Sequence, residues 1–125
     1  PEYLIYLEKT GLIGQLRDET GGLRGLGKVE KVYIDNPNLM YALSGNSVDI
    51  GNVRETFFYS QTKVRNDVIS SKESDFVIGN NTFEIGGRKK GQKQIEGING
   101  GIIVKDDIEY ANGNVIPLWH FGLNY

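Results

Sequence analysis

The chain has 125 residues, room for one ordinary domain or two small packed units, and its 14 basic and 16 acidic side chains leave a formal charge of −2. It contains no cysteine, which excludes disulfides, thiol nucleophiles and cysteine-bound zinc and fits a reducing compartment. With 38% hydrophobic and 10% aromatic residues it reads as folded, its 17 glycines announce many tight turns, and no signal peptide or long apolar span supports a membrane role. The expectation is a cytoplasmic α/β module belonging to a larger protein, since the chain starts without methionine on an apolar pattern.

In chain order, Leu4, Ile5 and Leu7 mark the end of a short amphipathic helix stopped at Gly11. Residues 12–17 and 28–34 read as paired strands around a loose loop holding Gly21, Gly22, Gly25 and Gly27. A cap followed by a proline predicts a short helix over residues 37–43. Helix plus hairpin is the general form of a winged-helix remnant, placed at residues 1–45. The polar, glycine-containing stretch 44–52 marks the boundary, and residues 50–125 form a second unit.

There the period changes. Val53, Phe57, Phe58, Gln61 and Val64 share one face of a predicted helix, and Asn52 with Glu55 has capping-box spacing at its start. Strand patterns follow at 68–70, 75–78, 82–85, 101–104 and 115–119, with about two helical turns expected over residues 92–98. This order predicts a mixed sheet rather than a barrel.

Gly22, Gly27 and Lys28 approach the spacing of a phosphate-binding loop. Val29 stands where the Mg²⁺-binding hydroxyl belongs, and a strand follows where a helix is needed, so the hairpin reading prevails and this chain is not expected to bind ATP. Asp75 and Glu84 are the more informative pair. A two-residue turn at Asn80–Asn81 would set Asp75 opposite Gly86 and Val77 opposite Glu84, with both carboxylates diagonal on one face at roughly 7 Å. Phe76, Ile78, Phe83 and Ile85 would then form the core face. Such a pair can share a divalent metal, or can be the polar side of an ordinary hairpin. Glu55 is equally explained as a helix cap, and the single histidine, His120, follows Trp119 and reads as packing rather than ligation. Tyr3, Tyr6, Tyr33 and Tyr41 read as core or interface rings. Arg88, Lys89, Lys90 and Lys93 form a local positive run, a solvated turn on its plainest reading, in a chain whose composition otherwise gives little support for a nucleic-acid partner.

The phrases KVYIDNPNLMYAL (31–43), GNVRETFF (51–58), DFVIGNNTFEIGGRKK (75–90) and IPLWHFG (116–122) resemble the C-terminal domain of a family of prokaryotic AAA-type ATPases, a domain of unknown function. The resemblance implies an N-terminal ATPase domain outside this chain, where ATP would bind and which would be this module's partner. It then implies a winged-helix-like segment and a domain similar to the PD-(D/E)xK restriction-endonuclease fold, here degenerate. In that fold a helix Glu, a strand Asp and the acid of an E-x-K motif hold Mg²⁺ or Mn²⁺, and the lysine assists the attacking water. Carried over by position, Glu55, Asp75 and Glu84 are the candidate catalytic acids and metal ligands. The lysine's position is Gly86, which cannot serve, so Lys89 or Lys90 would have to reach back, and Gln94 matches a polar helix residue. Two functions follow: a non-catalytic accessory or interaction module of the ATPase, with protein partners; or a metal-dependent nuclease with a displaced lysine.

Overall fold

The computed structural model describes residues 2–19 and 27–123. Helix α1 (Glu2–Lys9) ends as expected, with Gly11 at φ 78° and its N–H donating to the Glu8 carbonyl. Strands β1 (Ile13–Arg17) and β2 (Val29–Ile34) form an antiparallel pair with a register shift between Leu16 and Arg17. Lys28 leads directly into β2, away from any helix N-terminus; Gly21, Gly22 and Gly25 of the connecting loop lie outside the described residues. Helix α2 (Pro37–Ser44) is capped by Asn36, whose side chain accepts from the Leu39 N–H, and it closes at Gly45 with φ 60°.

Helix α3 (Ile50–Thr62) starts a turn earlier than the sequence pattern suggests. Asp49, not Asn52, is the cap: its carboxylate accepts from the Asn52 N–H at 2.8 Å. Asp49 is as good a cap as Asn52 and stands where the chain leaves its extended segment, so Glu55 falls beyond the first turn and is released from the capping role. The buried face also differs from expectation, running through Thr56, Phe58, Tyr59, Ser60 and Thr62, while Val64 is exposed. Small hydroxyl residues let the helix lie close between hairpin and sheet, with Thr62 donating back to the Phe58 carbonyl.

The main sheet has the order β3 (Val68–Ser70), β4 (Phe76–Ile78), β5 (Asn81–Gly86), β6 (Gly101–Lys105), β7 (Val115–Pro117). The β3–β4 and β4–β5 pairs are antiparallel, and the β5–β6 and β6–β7 pairs are parallel. The fold is thus mixed α/β, with a helix and hairpin ahead of a mixed sheet. Pro117 ends the edge strand, and the chain continues as a short 3₁₀ helix (Leu118–Leu123) instead of extending the strand to residue 119. Residues 92–98 form successive turns, not the expected helix. Gly97 and Gly100 take positive φ, and the bonds present, Ile95 N–H to Gln92 and Ile98 N–H to Ile95, each span three residues.

A single buried cluster joins these parts: Phe58 and Tyr59 of α3, Phe76, Phe83, Ile85 and Val104 of the sheet, Leu118, and Leu16 and Tyr33 from the hairpin. The predicted core face of the β4–β5 hairpin is therefore present, with Ile78 packed against the same cluster. Among the described residues no helix is long and apolar enough to cross a membrane.

Candidate functional site

The position of the carboxylates depends on the β4–β5 turn. Ile78 pairs with Asn81, Val77 with Thr82 and Phe76 with Phe83, so the two-residue turn is Gly79–Asn80 rather than Asn80–Asn81. Gly79, at φ 59°, supplies the left-handed residue that such a turn needs at its first position. The register moves by two residues, an even number, so side chains keep their faces while their partners change. Asp75 consequently sits beside Glu84, not opposite Gly86. Its N–H donates to the Phe83 carbonyl at 3.2 Å, and its Oδ2 accepts from the Ile85 N–H at 2.8 Å. Asp75 thus brackets Glu84 through both of that residue's chain neighbours.

Glu84 is 2% exposed. Its Oε2 accepts a short hydrogen bond from the Ser74 hydroxyl, and its Oε1 is ion-paired with the Lys90 ammonium. Lys90 arrives from a tight turn closed by its own N–H on the Gly87 carbonyl. Its stem crosses Gly86: a Cβ there would stand 2.6 to 2.8 Å from Cβ, Cγ and Cδ of Lys90. Lys90 thus reaches Glu84 across the position of Gly86, and glycine there leaves room for its stem.

Glu55 approaches from α3. Its Oε2 accepts from the Tyr33 hydroxyl at 2.7 Å and from Lys31 Nζ at 3.0 Å, both on β2. Helix α3 and the hairpin are thereby tied through one carboxylate. Burial, reinforced by the hydrogen bond to Glu55, raises the Tyr33 hydroxyl far above the ordinary tyrosine range, so it remains a donor.

Of the candidates, Asp75 lies within electrostatic reach of both Glu55 and Glu84, whereas Lys89 and Gln94 are exposed on the turns after β5. Tyr33, Lys31 and Ser74 belong to the site without having been singled out for it. Tyr33 could have been found from the alternation of β2, which puts Lys31 and Tyr33 on one face. Ser74 depends on the bend before β4, which periodicity does not reveal. His120 packs edge-on against Trp119 with ring centroids 4.3 Å apart. Tyr3, Tyr6 and Tyr41 are exposed, and only Tyr33 of the four early tyrosines enters the core. Among the described residues no group of three or more acids or histidines is disposed to hold a metal ion, and no buried side-chain nitrogen or oxygen lacks a hydrogen-bond partner.

Asp75 bears the electrostatic cost of this arrangement. Burial is the main cause of a rise in its pKa to about 6; the Ile85 N–H opposes that rise, Glu55 and Glu84 add to it, and Lys31 lowers it. The folded chain then holds a proton that the unfolded chain, with a value near 3.8, has already lost. Stability accordingly falls as pH rises from about 4 to about 6 and levels off above that window. Asp75→Asn keeps an acceptor for Ile85 and removes the charge. Its stability relative to wild type should grow across the same window, read from urea midpoints at a series of pH values; a constant difference refutes the assignment.

Comparison with family models, with curated proteins and with solved structures gives no match for this chain.

Proposed function

We propose that this chain is a non-catalytic accessory or interaction module of a larger AAA-type ATPase, built on a degenerate restriction-endonuclease-like sheet that follows a winged-helix-like segment. The observation supporting this reading is the state of Glu84: 2% exposed, with one oxygen taken by Ser74 and the other by Lys90. A metal-assisted hydrolase needs acids that converge on an open position where a cation and its water can sit. Here Glu84 is neutralised from within the chain, and Glu55 is engaged by Tyr33 and Lys31. The acids serve as structural ties, Glu55 between α3 and the hairpin, and Asp75 and Glu84 within the sheet and its loops, while the ATPase chemistry belongs to the N-terminal domain that the resemblance implies.

One observation favours the second reading, a metal-dependent nuclease with a displaced lysine: an ammonium does reach Glu84, by way of Lys90. The two readings separate in one assay. Chain and full-length protein are incubated with single- and double-stranded DNA in Mn²⁺ beside Asp75→Ala and Glu84→Ala variants. The accessory reading expects no cleavage above that of the variants. Cleavage abolished by both substitutions establishes the nuclease.

A further inference from the structure

The loop between β5 and β6, residues 87–100, carries its cations in two directions. Lys90 turns inward to Glu84. Arg88, Lys89 and Lys93 are exposed, and among the described residues none of them takes part in an ion pair. The loop is also fastened further along. Ile95 is buried, and Gln92 and Asn114 exchange side-chain hydrogen bonds at 3.0 and 3.1 Å. It is therefore a strap anchored at three points. Because the bond from Lys90 to Glu84 fixes the backbone between the outward residues, it sets how they are presented.

We propose that the outer face of this strap, Arg88, Lys89 and Lys93, is a docking surface for a short acidic peptide segment of a protein partner, with Lys90 as the positioning residue that holds the surface in shape. The inference rests on the interaction-module reading and gives that module a partner chemistry. Charge complementarity selects the anion: three exposed cations within six residues, without an ion pair among the described residues, stand out in a chain of net charge −2. The surroundings limit its length. Glu96 lies on the strap itself, and the Asp106 N–H donates to the Gly86 carbonyl at 2.8 Å, bringing the acidic end of β6, with Asp107 exposed, against the strap's beginning. A duplex with a charge about every 1.7 Å would run from the cations onto these carboxylates, whereas a few carboxylates on a peptide would not. Holding the strap in one shape before binding lowers the entropy lost on docking.

The test uses fluorescence anisotropy on the whole chain with a labelled oligoglutamate peptide and with single- and double-stranded oligonucleotides. The peptide should bind at low salt and weaken as salt is added. The triple variant Arg88→Ser, Lys89→Ser, Lys93→Ser, confined to exposed positions, should lose about tenfold or more in affinity. Gly86→Ala, which keeps every charge but displaces Lys90, should lose about threefold. Absence of peptide binding, an unaffected triple variant, or tighter binding of DNA than of peptide overturns the proposal. An unaffected but folded Gly86→Ala overturns the positioning role of Lys90. Because no cleavage is measured, these failures are distinct from failure of the accessory reading, which the Mn²⁺ assay decides.

Discussion

Phe58→Ala is expected to cost about 4 kcal/mol of folding stability, the largest effect of any single substitution considered for this chain. Phe58 is 0% exposed, and its ring lies 5.1 Å from Phe76, 5.1 Å from Phe83 and 4.8 Å from Phe121, centroid to centroid. It fastens α3 to β4, β5 and the 3₁₀ helix at once. Truncation removes transfer free energy, leaves a cavity among rings that cannot all collapse into it, and loses tilted aromatic contacts with Phe76 and Phe83 and an edge-on one with Phe121. Val64, which the helical period assigns to the same face, is 68% exposed, and Val64→Ala should stay within about 0.5 kcal/mol of wild type. Urea denaturation of both variants checks the contrast. Equal costs would show that the core is not organised around Phe58.

That contrast marks where the sequence was legible. Alternating apolar residues located the strands, and the parity of the β4–β5 hairpin put Phe76, Ile78, Phe83 and Ile85 on the core side even though the turn was placed one residue late. Parity survives an error of two in register, but neighbour identity does not, which is why Glu84 rather than Gly86 stands beside Asp75. The residues from 92 to 98 were not legible as turns, because Ile95 and Ile98 imitate a helical stripe and only backbone geometry discloses Gly97 and Gly100 at positive φ. The α3 cap was missed because Asp49 and Asn52 offer the same chemistry three residues apart. Candidate acids could be picked by their types and approximate positions. Their partners could not: Tyr33 and Lys31 reach Glu55 across more than twenty residues of sequence, a distance over which no periodicity carries information.

Lys90 was legible only as one of several nearby lysines, and the structure gives it a distinct thermodynamic signature. Lys90→Ala should destabilise the fold by about 3 kcal/mol, the low end for breaking a buried pair, because the lysine side chain retains 29% exposure while Glu84 has 3%. The cost arises less from lost attraction than from the carboxylate left behind, since Ser74 satisfies one oxygen and leaves the other without its counter-charge. In a chain of this size the melting temperature should fall by roughly 10 °C. Glu84→Gln combined with Lys90→Ala removes the stranded charge while Ser74 keeps an acceptor, so the double variant should recover most of the loss and the cycle should show strong coupling. Gly86→Ala should resemble Lys90→Ala although it deletes no charge, because the added methyl group takes the space of the lysine stem. If Lys90→Ala melts with wild type, or if the double variant is no more stable than the single, Glu84 does not depend on Lys90 for its charge. If instead Gly86→Ala alone is neutral, the stem can take another path, and glycine at position 86 is not what admits the lysine.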